Sequence, residues 1–313
     1  MRIDWLEGTI VRRSIEDALR ELHILFCGLD WQELDRGAMG YTHSAIFAGD
    51  GRVYWCPERP DMGVHVSLPS LALDRMGVSA ESVLSDLMAL GWKCSRLDIA
   101  ADDFEGYLDM SVIRTKVLNR ELVSRAKKAH EDRDLIGGSG NTIYFGRRGS
   151  RSMMRIYDKS AEQADLHKGV YTHWVRAELE YRQERAEAAA RLIAFRRDGW
   201  HELARGWFMA FLDFKVPGDD SNKSRWETCS WWAAFLNDAV KIRLKVDAQV
   251  PTVATTRRWV ERQVVPGFYV LGVTLGYDAL FDMILTGKNR LSERHDSMIA
   301  EYERSVEKVS VAG

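Results

Sequence analysis

The chain has 313 residues, 46% of them hydrophobic and 29% charged, with a formal net charge of −2. This composition suits a globular protein with enough chain to bury a core in one large or two modest domains. No apolar run reaches the roughly 18 residues of a membrane span, and the opening MRIDWLEGTIVRRS lacks the apolar core of a signal peptide. A cytoplasmic protein with no membrane partner is expected.

Four cysteines, Cys27, Cys56, Cys94 and Cys229, form no C-x-x-C pair and no zinc spacing with histidine. They read as reduced core thiols. No P-loop, dinucleotide fingerprint, H-E-x-x-H or G-x-S-x-G is present. Nucleotide hydrolysis and serine hydrolase chemistry therefore have no support.

In chain order, Ile3–Arg12 reads as a strand. Ser14 caps a helix to about Phe26, with Asp17 three residues on. Tyr41–Phe47, Arg52–Cys56 and Gly63–Leu68 read as strands, with a hairpin turn at Gly49–Gly51. Pro69–Leu90 reads as one helix and Lys93–Phe104 as an acidic strand. A basic amphipathic helix is expected over Met110–Ala129. Thr142–Gly146, Met153–Lys159 and Thr172–Arg182 follow as strands, and Gln183–Phe214 as one long helix.

The expected fold class is α+β: an antiparallel-sheet core of two related βαβββα-like halves, with a C-terminal helical region. The linker-like VPGDDSNK at Val216–Lys223 sets expected domains at 1–215 and 216–313. In the tail, Arg257, Arg258, Trp259 and Arg262 make a basic helix start that offers a further DNA contact.

Charge is unevenly distributed. From Arg114 to Lys159 there are twelve Lys/Arg against five Asp/Glu in a chain that is slightly negative overall. Such a band is the electrostatic footprint of a phosphate backbone. Within it lies Asn141–Lys159, NTIYFGRRGSRSMMRIYDK. Two strand-like runs flank a turn carrying Arg147, Arg148 and Arg151.

Side chains alternate faces along a strand. Arg155, Tyr157 and Lys159 therefore share one face. On RLDIAADDF, Arg96, Asp98 and Asp102 share a face. On VRAELEYR, Arg176, Glu178, Glu180 and Arg182 do. If these strands are neighbours, their ionisable groups form one site. Clustered carboxylates call for a hard cation such as Mg²⁺ or Mn²⁺. Tyr157 offers a nucleophile for phosphorus, with Arg155 and Lys159 favouring its phenolate. Arg147, Arg148 and Arg151 could fork neighbouring phosphates. His65, on GVHVSL, reads either as a DNA contact or ligand, or as a hydrogen-bonded structural histidine. Tyr144 is a rival nucleophile with no cation beside it on its own strand.

The ordered trio RLDIAADDF, NTIYFGRRGSRSMMRIYDK and VRAELEYR resembles the replication initiation factor family, the trans-acting Rep proteins of rolling-circle plasmids, filamentous phages and some integrative elements. IDWLEGTI and GVHVSL resemble its phage branch. The likeness covers about residues 3–185.

It implies a metal-dependent, HUH-like tyrosine nickase that forms a 5′-phosphotyrosine at an origin and later rejoins the strand. The family's nucleophile maps onto Tyr157, its acidic strand onto Asp98 and Asp102, and its R-x-E strand onto Arg176, Glu178 and Glu180. Some plasmid relatives carry Glu on the strand before the acidic one, where this chain offers His65 and Ser67. No His-hydrophobe-His pair is present, so ordinary HUH ligation is not expected.

The implied partners are single-stranded or hairpin origin DNA, with host helicase and polymerase and a homodimer left open. A relaxase shares this chemistry. A non-catalytic origin-binding or copy-control protein would keep the fold without it.

Overall fold

The computed structural model describes the chain except residues 12, 27, 134–139, 163–172, 197–198, 247–251, 254–255, 258–259 and 311–313, and the side chains of 161–162, 262, 294 and 305–310. The chain divides into two units, Met1–Val246 and Asp247–Gly313.

The first unit contains strands β1 (Arg2–Ile10), β2 (Gln32–Leu34), β3 (His43–Phe47), β4 (Gly51–Trp55), β5 (Val64–Pro69), β6 (Trp92–Asp103), β7 (Leu122–Ser124), β8 (Ala129–Arg133), β9 (Asn141–Phe145), β10 (Ser152–Asp158), β11 (Val175–Arg182) and β12 (Leu212–Phe214). Its helices are α1 (Ile15–Leu25), α2 (Ser70–Arg75), α3 (Ala80–Ala89), α4 (Met110–Leu118), α5 (Lys159–Glu162), α6 (Glu184–Arg196), α7 (Trp200–Phe211) and α8 (Ser230–Phe235).

Ten strands form one sheet in the order β2-β3-β4-β5-β1-β6-β11-β10-β9-β8, and β12 pairs with β7 in a small second sheet. Neighbours in the large sheet run antiparallel. Outward from the central β1–β6 pair, one side reads β1, β5, β4, β3, β2 and the other β6, β11, β10, β9, β8. Each half begins at the centre, passes through a helix (α1 or α4), starts again at the edge and returns inward. The two related halves are present, with one correction. The acidic strand β6 opens the second half instead of closing the first.

One sheet face is covered by helices. Leu97, Ile99 and Ala101 of β6 and Ala177, Leu179 and Tyr181 of β11 are buried there with Val83, Leu84 and Leu87 of α3, Ala186, Ala189, Ala190 and Ile193 of α6, and Trp207 of α7. The alanine face of α6 lets its backbone come close to the sheet. Tyr181 meets Trp207 edge-on at 5.9 Å. The opposite face carries the ionisable residues.

Ser14 caps α1 as expected, its hydroxyl accepting from the Asp17 amide. Three expected helices are interrupted. Pro69–Leu90 splits into α2 and α3 around Gly77 (φ +68°), and Ser79 caps the second piece. The basic helix ends at Leu118, Arg120 adopts φ +57°, and β7 and β8 follow. Gln183–Phe214 divides into α6, α7 and β12, with Gly199 at the start of α7. Strand β8, AHEDR, is exposed throughout. A charged, exposed edge strand blunts sheet-to-sheet pairing, and its polarity is also what makes it read as helix surface.

VPGDDSNK is a surface loop within the first unit, which continues to Val246. Beyond the loop, Cys229, Trp232, Leu236 and Leu244 still join the sheet's core. Trp232 Nε1 donates to the Leu212 carbonyl at 3.0 Å, and its ring lies edge-on to Phe214 at 5.2 Å. Cys56, Cys94 and Cys229 are buried and unpaired, and Cys27 lies outside the described residues. The second unit contains helices Val265–Leu275, Tyr277–Leu285 and Glu293–Ser310. Part of the basic helix start, Arg258 and Trp259 included, lies outside the described residues. No described helix is long and apolar enough to cross a membrane.

The two halves meet at a register shift between Glu7 and Gly8. A Cβ on Gly8 would lie 2.2 Å from the Lys93 carbonyl oxygen and 2.4 Å from the Trp92 ring. Backbone cannot yield there without parting the central strands. Gly8→Ala should therefore lower unfolding free energy by about 3 kcal/mol or more, measured by urea denaturation. Unchanged stability would mean that the β1–β6 junction has room for a methyl group.

Candidate DNA-cleaving site

The open face of the second half is organised in rows across the strands. Asp102 of β6 lies opposite Arg176 of β11, which lies opposite Tyr157 of β10. In the next row Ala100 faces Glu178, then Arg155, Tyr144 and His130. In the third, Asp98 faces Glu180. The expected face sharing on β6, β10 and β11 is thus present.

Glu178 is at the centre. It is 2% exposed. One carboxylate oxygen accepts from Arg155 Nη2 at 2.6 Å and the other from the Tyr157 hydroxyl at 3.3 Å. Burial raises its pKa against the lowering effect of Arg155. Tyr157 is itself buried at 6% exposure. The Arg155 guanidinium lies 5.2 Å and Lys159 Nζ 5.6 Å from its ring centre. Lys159, expected to end the strand, is the first residue of α5.

Asp98 is 1% exposed and is gripped by Arg96 through Nε at 3.0 Å and Nη2 at 2.5 Å. Burial raises its pKa to about 8, with the carboxylates of Glu178 and Glu180 adding to the rise. Glu180 accepts from Arg182 Nε at 2.5 Å and lies 3.6 Å from Arg96 Nη2.

Asp102 is differently employed. It accepts from Trp174 Nε1 at 2.6 Å and from Arg176 Nε and Nη2 at 2.7 and 3.0 Å. Arg176 also reaches Asp4 at 2.8 Å. Arg176, read from sequence as a DNA contact, is 4% exposed and engaged on both sides by carboxylates. His65 is likewise buried, with Nδ1 2.8 Å from Thr9 Oγ1 and Nε2 3.2 Å from Glu7. That arrangement matches the alternative reading of a hydrogen-bonded structural histidine.

The carboxylates read as one metal set, Asp98, Asp102, Glu178 and Glu180, do not converge. No group of three or more His, Cys, Asp or Glu among the described residues is disposed to hold an ion. The alternation rule places them on one face but not within one coordination sphere, and arginines occupy the gaps. Asp98 and Glu178 are the two carboxylates whose mutual repulsion a cation would relieve. Both are buried on adjacent strands, and the charge of Glu178 penalises that of Asp98.

Arg147, Arg148 and Arg151 are exposed on the β9–β10 turn, as expected. Arg151 pairs with Glu184 at 2.5 Å. Arg148 reaches the rival Tyr144, its Nη2 3.4 Å from the hydroxyl. Tyr144 also stacks on His130 at 4.8 Å. It has a cation from the turn, but among the described residues no carboxylate bonds its hydroxyl.

Two residues of β1 were missed as site components. Asp4 is the extra residue at a bulge between Ile3 and Trp5, which turns it toward Arg176. Glu7 lies opposite Arg96 and bonds His65. His65, Arg96 and Arg182 together hold Glu7 below the usual carboxylate range despite its burial. Strict alternation puts Asp4 and Glu7 on opposite faces, so only the bulge reveals them as partners.

Residues 92–279 match the sequence model for the replication initiation factor family. The "Putative DNA relaxase NicK" of Bacillus subtilis (strain 168) is 27% identical over 231 residues, spanning 71% of this chain and 65% of that protein. The chain thus spans just under two thirds of that relative's length. The structure of a rolling circle replication initiator protein from Geobacillus stearothermophilus superposes with a TM-score of 0.64 at 26% identity, covering 78% of this chain and 98% of that one.

The raised Asp98 pKa has a consequence for stability. The unfolded carboxyl ionises near pH 3.9 and the folded one near 8. Between these values the folded state binds the extra proton, so stability falls as pH rises through that window. Asp98→Asn should flatten this decline in urea midpoints between about pH 4 and pH 8. A decline as steep as in the parent would assign it to other groups.

Proposed function

The chain belongs to the replication initiation factor family, and on that premise we propose that it initiates rolling-circle replication by nicking one strand of origin DNA through Tyr157. The observation that carries the reading is the Tyr157 hydroxyl bonded to Glu178 between Arg155 and Lys159.

To attack phosphorus, the phenol must lose its proton. Glu178 is one hydrogen bond away, and its raised pKa makes it a better acceptor near neutrality than an ordinary carboxylate. The phenolate oxygen then bonds phosphorus as the P–O3′ bond breaks. The 3′ oxygen leaves as an alcohol once protonated. Phosphodiester energy is kept in the tyrosyl ester, so the reverse attack by a 3′-OH rejoins DNA without a nucleotide cofactor. The free 3′-OH is available to host polymerase.

Arg155 and Lys159 offset charge gathering on the phosphate. Asp98 and Glu178 are the groups that would hold Mg²⁺ or Mn²⁺, and a bound ion would polarise the phosphate and stabilise the leaving oxygen. Arg147, Arg148 and Arg151 hold phosphates farther along the strand. Arg176, Asp102 and Asp4 keep the three central strands in place.

The same chemistry serves a relaxase, and the similarity to NicK favours that second reading of the biological setting. A non-catalytic origin-binding protein is the rival of a different class. Single-stranded origin oligonucleotide with added Mn²⁺ separates them. The parent protein should form a covalent adduct. Tyr157→Phe should form none while keeping its DNA affinity, and Glu178→Gln should slow adduct formation and shift its pH profile. Nicking by the Phe variant would refute the assignment of Tyr157. Binding without any adduct in the parent would favour the copy-control reading.

A further inference from the structure

The β7–β8 connection, the β9–β10 turn and the start of α6 converge at the end of the sheet opposite Tyr157. They line a recess of about 480 Å³. Six of its lining side chains are Arg125, Lys127, Lys128, Arg147, Arg151 and Arg185, and no described lining residue is acidic. Only Arg151 among these six has a carboxylate partner among the described residues, the Glu184 that sits beside Arg185 in the chain. An ordinary solvated surface of a chain with nearly balanced charge intersperses both signs. This one does not.

The cations are held there by backbone, not by flexible chance. The Gly146 amide donates to the Lys128 carbonyl at 2.8 Å, Arg182 to Arg151 at 3.0 Å, and Arg125 to Phe211 at 2.9 Å. Three segments of like charge are thus pinned together. Arg185 shows the cost. It is half-buried, and burial followed by the neighbouring Arg125 charge lowers its pKa. An anion in the recess recovers that cost. Ser150 and Ser152 also line the space and bring hydroxyl donors.

Ser152 and Tyr157 lie at opposite ends of β10, which at ~3.3 Å per residue separates them by about 17 Å. We propose that the recess is a phosphate-binding site distinct from the nucleophile, which holds the DNA backbone several nucleotides from the scissile bond. This rests on the nickase reading only for the identity of the strand. Arg125, Lys127, Lys128 and Arg185 thereby join the turn arginines as DNA contacts. The site reads phosphate and carries no base specificity.

The test is fluorescence anisotropy with a labelled oligothymidylate of about 20 nucleotides, longer than a typical single-strand footprint, from 50 to 300 mM NaCl. Arg125→Ala/Arg185→Ala and the exposed pair Lys127→Glu/Lys128→Glu are compared with the parent, each checked for an unchanged melting temperature. Both should bind about tenfold or more weakly at the lowest salt, with the log–log salt slope shallower by about 0.7 for each phosphate that is no longer neutralised. Parent-like affinity and slope in both variants would overturn the proposal. So would weaker binding with an unchanged slope, since that loss would not be ionic. These readouts need no cleavage. If the parent formed no adduct with any oligonucleotide, the nickase reading would fail while the slopes still decided the recess.

Discussion

Arg176 sits in the middle of the sheet, where water cannot solvate a guanidinium. It is tolerable there because Asp102 on β6 and Asp4 on β1 receive it at 2.7 and 2.8 Å. One cation thus ties together the central strand of the first half, the central strand of the second half, and the strand beside it. Removing one member of such a buried set typically costs about 3–5 kcal/mol, because the rest is left charged and unpaired. The other groups on the open face follow the same rule. Arg96 serves Asp98 and approaches Glu180, Arg182 serves Glu180, and Arg155 serves Glu178. Period-two alternation, with one face sealed by apolar helices, leaves the ionisable side chains of these strands no other place to go.

Tyr157 enters this lattice as the proposed nucleophile. Its neighbour Glu178 cannot discharge into solvent and is shared between a guanidinium and a phenol. A carboxylate in that position either takes the phenol's proton or helps hold a cation, and both roles bring a phosphate and a nucleophile together. The bulge at Asp4 lets β1 feed carboxylate to Arg176, so that β11 keeps the register that points Glu178 at Tyr157. The basic recess lies at the other end of β10. The same strand therefore carries the proposed nucleophile at one end and borders the proposed phosphate anchor at the other.

Much of this was legible in the residues. Alternation on RLDIAADDF, MMRIYDK and VRAELEYR placed the ionisable side chains of these strands on one face, with Lys159 passing into α5, and the Ser14–Asp17 cap and the strands of the first half fell close to where they lie. Four things were not legible. Long helices were expected where the chain breaks, at Gly77 and between α6 and α7, because amphipathic spacing continues across each break. The edge strand β8 is charged on both faces and so has no period to detect. The partition of carboxylates depends on which arginine reaches which strand, a three-dimensional fact. Asp102 looked equivalent to Asp98 by parity, yet Trp174 and Arg176 hold it apart from the group around Glu178. The end of the first unit at Val246 was hidden because VPGDDSNK has linker composition, while Trp232 returns to the core beyond it.

The central claim is chemical: one tyrosine, held on one carboxylate, becomes esterified to DNA. It is tested most directly by trapping the protein on a labelled single-stranded origin oligonucleotide with Mn²⁺, digesting it, and locating the nucleotide-bearing peptide by tandem mass spectrometry. The account predicts the added phosphonucleotide mass on Tyr157, within MRIYDK. The same mass on Tyr144, within NTIYFGR, would contradict it and move the nucleophile to the tyrosine stacked on His130.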